Sequence, residues 1–172
     1  MASLIEDFIE TLDKEESEYR QLLEISKRKT PVIIKGDIEA LSQITDEEQI
    51  VVDRISHLDK HRQDVLGDIA TVLNKDVQTL KVPYVIDLLA GQEKEQKQLK
   101  AVYDKLKVTL QEMQQVNDQN RNLIQLSLDM VQFDMNLVQA MKQGPETGDY
   151  TKSGGYSDSG MNGSASRFDA KQ

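Results

Sequence analysis

Asp53, His57 and His61 recur at every fourth residue. On a helix that spacing stacks two imidazoles and a carboxylate along one face, an arrangement able to hold zinc. The helix that would carry them argues against it. Its apolar seam runs through Val51, Ile55, Leu58, Val65, Ile69 and Val72, with Arg62 in one core position, and this phase turns both histidines to solvent. No glutamate follows the first histidine as a zinc hydrolase needs. A solvated face is the better reading, and no metal ligand is assigned. No other residues gather into chemistry: there is no phosphate-cradling Gly-rich loop, no nucleophile elbow and no cysteine. Disulfide and thiolate chemistry are excluded outright. The chain reads as a protein without catalytic residues or cofactor, not an enzyme.

Binding is the remaining kind of function, and Asn117 to Met141 is the stretch built for it. It lacks Gly and Pro and has helical apolar spacing. Ile124, Leu128, Val131, Met135 and Val138 form one stripe; Leu123, Leu126, Met130, Phe133, Leu137 and Met141 form a second beside it. One apolar face suffices for a surface helix. Here the first stripe continues the phase of Leu106, Leu110 and Met113, which assigns it to the intramolecular core. The second is then left for a partner. Asn117 and Asn120 share the phase of Met113 and Ile124, so both amides are expected to face packing neighbours and to fix register.

The elements that position this stretch give an all-α fold: an elongated antiparallel bundle with coiled-coil-like packing. Helices are predicted near 4–35, 38–44, 46–73 and 92–142, making residues 1–142 one bundle. Ser3 with Glu6, and Thr45 with Glu48, have capping-box spacing. Pro31 should kink the first helix without ending it, and Gly36 should stop it. Asp37 can cap the short helix 38–44. Around Val82-Pro83, residues 76–81 and 84–90 each suit one or two helical turns. Residues 143–172 hold six of the nine glycines and are rich in Ser, Asp, Asn and Tyr. Such a segment cannot offset its ordering entropy, so a disordered Gly/Ser-rich tail is expected, dispensable for folding.

With 38% hydrophobic and 30% charged residues and no Trp, the 172-residue chain suits a thin bundle rather than a thick globule. Its net charge of −9 disfavours nucleic acid and anionic membrane as partners. No apolar run approaches membrane length, so stable membrane insertion is not expected, and Glu6 and Asp7 break any signal-peptide core. A cytoplasmic location is the expectation.

The order of motifs resembles the FlgN-type flagellar export chaperones. Asn117-x-x-Asn120-x-x-Leu123-Ile124 closing a long helix is similar to that family's signature. Lys35-Gly36-Asp37-Ile38-Glu39-Ala40-Leu41 resembles its Gly-Asp turn and short helix, Glu47-Glu48 and Arg62 its acidic and arginine positions, and Phe168-Asp169-Ala170-Lys171 its tail element. Pro31 and the Val82-Pro83 break have no place in the pattern. The resemblance implies a cytoplasmic helical chaperone without enzymatic activity. Its clients would be the C-terminal segments of the hook–filament junction proteins FlgK and FlgL, kept from premature assembly and delivered to the export gate and ATPase complex.

Two competing functions share these residues. A chaperone would use Leu123, Leu126, Met130, Phe133, Leu137 and Met141 for its client, with a homodimer burying them when client-free. Tyr150, Tyr156 and Phe168 would be the docking aromatics of the tail. A self-associating coiled-coil scaffold would use the same stripe as an oligomer seam. The rhythm of Val51–Val72 suits the scaffold, whereas the Met- and Phe-containing stripe suits reversible capture of an amphipathic helix. An acidic regulator that sequesters a basic partner is permitted by charge alone.

Overall fold

A computed structural model describes residues 1–143. Tyr150, Tyr156, Phe168 and the expected tail lie outside the described residues. Four α-helices and no strands are present among the described residues: α1 (Ala2–Lys35), α2 (Ile38–Leu73), α3 (Val82–Leu88) and α4 (Glu93–Gln143), with a 3₁₀ turn at Val77–Thr79. The fold is all-α, as the sequence predicts.

Local chemistry sets most boundaries. Gly36 adopts φ 70°, and its N–H donates to the Ile33 carbonyl while Asp37 N–H donates to Val32. This is a Schellman closure, which a left-handed residue makes possible. The Asp37 carboxylate then accepts from Ala40 N–H at 3.0 Å and caps α2. Asn74, at φ 52°, closes α2 in the same way. Pro83 sits in the first turn of α3, where its missing N–H is harmless.

Two boundary expectations are corrected. Residues 38–44 and 46–73 form one continuous helix, α2. Thr45 does not cap; its hydroxyl donates back to the Leu41 carbonyl at 2.8 Å. Glu48, the other half of the expected box, is drawn to α1, pairing with Lys29 at 2.7 Å and accepting from the Ser26 hydroxyl at 3.4 Å. Ser3 makes no cap either, since α1 already begins at Ala2 with Met1 at its N-cap. Pro31 lies within α1, exposed, and the helix continues to Lys35.

The first helix is the hub. It packs against both α2 and α4, whereas α2 and α4 make no close backbone approach to each other. Its charged flank fixes an antiparallel register with α2. Arg54 bridges Glu18 and Gln21, Arg28 pairs with Glu47, and Arg62 Nε donates to Glu15 at 2.9 Å. Arg62 thus snorkels across the seam to a carboxylate and also pairs with Asp59. Glu15 is almost fully buried, and burial pushes its carboxyl above the ordinary carboxylate range against the downward pull of Arg62.

Polar pairs also tie α1 to α4, in parallel. The Thr109 hydroxyl donates to Glu16 at 3.2 Å, and Asn120 Nδ2 donates to the Ser26 carbonyl at 2.9 Å. One core unites Ile5, Phe8 and Leu12 with Val65, Ile69, Leu80, Val85, Leu89, Leu99 and Leu106. A second joins Leu22 and Ile25 to Ile44, Val51 and Ile55, with Met113 as the α4 residue packed against it. Burial of α4 therefore fades towards its C-terminus. Val72, placed in the seam by its spacing, is exposed at the end of α2.

Candidate binding surface

Asn120 is the last buried residue of α4. Its amide is satisfied at both ends, since the Thr30 hydroxyl donates to Oδ1 at 2.6 Å while Nδ2 reaches Ser26. Asn117, expected to pack likewise, is exposed. The α1–α4 contact is narrow, and a residue three positions away is turned about 60° out of it. Asn120→Ala is accordingly expected to lower unfolding free energy by about 1–2 kcal/mol in urea titrations, and Asn117→Ala by no more than about 0.5 kcal/mol. Equal losses would contradict the assignment.

The length of α1 decides how much of α4 is covered. Thr109 pairs with Glu16 and Asn120 with Ser26, so the end of α1 at Lys35 lies level with about residue 128. Beyond that level α4 runs on for roughly 22 Å at 1.5 Å per residue. Among the described residues no element accompanies it. Ile124, Leu128, Val131, Met135 and Val138 are exposed, from 37% at Ile124 to 58% at Leu128 and Met135. Their expected place in the intramolecular core is therefore corrected. The periodic spacing is intact, but α1 and α2 stop short of covering it. Leu126, Met130, Phe133, Leu137 and Met141 are exposed as well, and Leu123 is half-buried. Both stripes are open, giving an apolar surface wider than the one stripe expected.

Where α4 leaves the bundle, an apolar pocket of about 290 Å³ opens between Val32, Ile33, Gly36, Ile38 and Leu41 of the α1–α2 turn and Ile124, Leu128 and Val131. Sequence reasoning read this turn only as a helix stop and a cap. The signal was available in Ile33 and Ile38 flanking Gly36-Asp37, both of which line the pocket. The pocket and the overhanging helix form one continuous apolar surface.

His57 and His61 are exposed, and His61 Nε2 lies 3.1 Å from Asp7 on α1. Gly36 and Asp37 build the turn that walls the pocket, and Arg62 braces the α1–α2 seam. No helix among the described residues is long and apolar enough to cross a membrane.

The longest helix of the bundle projects a two-striped apolar face that the described residues leave uncovered, a surface suited to binding another protein. The chain belongs to the FlgN family, whose model, described as FlgN protein, matches residues 1–158. Membership implies a flagellar export chaperone, a non-enzymatic class. No curated protein and no solved structure matches the chain.

Proposed function

We propose that this protein is a cytoplasmic chaperone that holds the C-terminal helical segment of the junction proteins FlgK and FlgL on the distal half of α4. It would keep that segment from assembling and hand it to the export gate and ATPase complex. The supporting observation is the bare apolar length from Ile124 to Met141, continuous with the pocket at the α1–α2 turn. Burying six such side chains is worth roughly ten kcal/mol gross. Association and client ordering subtract heavily, which leaves micromolar or tighter affinity within reach. The tail aromatics Tyr150, Tyr156 and Phe168 are proposed to dock on the export machinery. A weak homodimer through the same face is proposed as the client-free occupant, readily displaced by client.

Light scattering of the full chain, with and without a synthetic C-terminal segment of a junction protein, tests this. The expected result is a complex at micromolar peptide, with any client-free dimer dissociating as it forms. An oligomer whose mass the peptide leaves unchanged would favour the scaffold reading.

A further inference from the structure

One charge stands between the two apolar stripes of the overhang. At about 100° per residue, Asp134 falls between the two stripes rather than in the polar wedge of Gln125, Asp129, Gln132, Asn136 and Gln139. Its neighbours one turn back are Met130 and Val131, and one turn forward Leu137 and Val138, all four exposed and apolar. The wedge is internally paired: Gln125 donates to Asp129 and Gln132 to Asn136, each at 3.0 Å. Ser127, the other polar residue between the stripes, donates to the Leu123 carbonyl. Asp134 is exposed and has no hydrogen-bond or ion-pair partner among the described residues.

A partner that covers both stripes must also cover this carboxylate. Desolvating a carboxylate without a counter-charge is strongly unfavourable, and a cation placed over it restores the balance. Relying on the reading of this face as a helix-capture surface, we propose that Asp134 sets its specificity: the occupant is an amphipathic helix bearing Arg or Lys in the middle of its apolar face. A second copy of the chain is a poor occupant by the same chemistry. Between Asn122 and Met141 the helix carries no Lys or Arg, so a parallel pair sets Asp134 against Asp134 and a centred antiparallel pair offers it no cation. The carboxylate selects against self-pairing while it selects for a basic client.

The test uses the full chain and two synthetic amphipathic helical peptides with identical apolar patterns, one with Arg and one with Glu at the centre of the apolar face. By calorimetry the wild type should prefer the Arg peptide by about tenfold or more, which is ~1.4 kcal/mol. Asp134→Lys should reverse the preference. Asp134→Leu should bind both peptides alike and sediment more as a dimer than the wild type does. Helicity should not change in either variant, because Asp134 supports nothing in the fold. Equal binding of both peptides by wild type and Asp134→Lys alike would overturn the charge selection while leaving helix capture intact. Failure to bind either peptide would remove helix capture itself, and the proposal with it. A wild-type dimer that neither peptide displaces would assign the face to a second copy and overturn the proposal.

Discussion

Replacing Leu126 and Phe133 together with Ser should abolish capture of a helical client and leave the bundle standing. Both side chains project from α4 away from its partner helices, 60% and 66% exposed. Serine there costs only a few tenths of a kcal/mol each in helix propensity, so Tm should stay within a few degrees. On binding, each lost side chain forfeits about 1.5–3 kcal/mol of burial, and the pair should weaken affinity about a hundredfold or more. The companion variant, Ile124 and Val131 to Ser, is the more discriminating experiment. Spacing alone predicts that it unfolds the bundle. The open pocket predicts a folded protein with weakened client binding, because Ile124 and Val131 line the pocket and are not enclosed in a core. Circular dichroism melting and calorimetric titration of both variants decide it. If Ile124→Ser with Val131→Ser melts far below wild type, this length of α4 is packed after all. If both variants bind at wild-type affinity, the client sits elsewhere.

The reversal at Ile124 and Val131 shows what periodicity carries and what it lacks. Apolar spacing tells which residues share a face, and it placed Val51, Ile55, Val65, Ile69 and Leu106 in the observed core. It does not tell whether another element is long enough to lie over that face. That requires register, here set by pairs such as Thr109 with Glu16 and Asn120 with Ser26, which are some 93 residues apart in sequence. The capping boxes failed for a related reason. Thr45 and Glu48 have the spacing of a helix start, yet Arg28 and Lys29 of α1 offer Glu47 and Glu48 stronger partners once α2 is continuous. Stops encoded by a single residue's conformation were plain, as at Gly36. Asn74 carries the same left-handed stop.

Removing the Arg62 side chain should be the most damaging change to the fold. Glu15 is almost fully buried between α1 and α2, and Arg62 Nε is its 2.9 Å partner. Burial already raises the Glu15 carboxyl above its ordinary value of 4.5, with Arg62 the main opposing influence. The guanidinium is itself stabilised: burial works against its charge, but Glu15 and Asp59 more than compensate. Arg62→Ala leaves a buried carboxylate unpaired, a loss of about 3 kcal/mol at neutral pH. Its pH dependence identifies the cause. A carboxyl raised in the folded state binds its proton more tightly there than in the unfolded chain, so stability increases as pH falls through the folded value towards 4.5. Without Arg62 the rise is larger, and the variant should recover much of its deficit over that window because neutral Glu15 no longer needs a cation. Adding Glu15→Gln to Arg62→Ala should achieve the same recovery at pH 7. Urea titrations at neutral pH and near pH 4.5 would measure both effects. A deficit of equal size at the two pH values, or a double variant no more stable than Arg62→Ala, would show that Arg62 stabilises the seam by packing its methylene stem and not by neutralising Glu15.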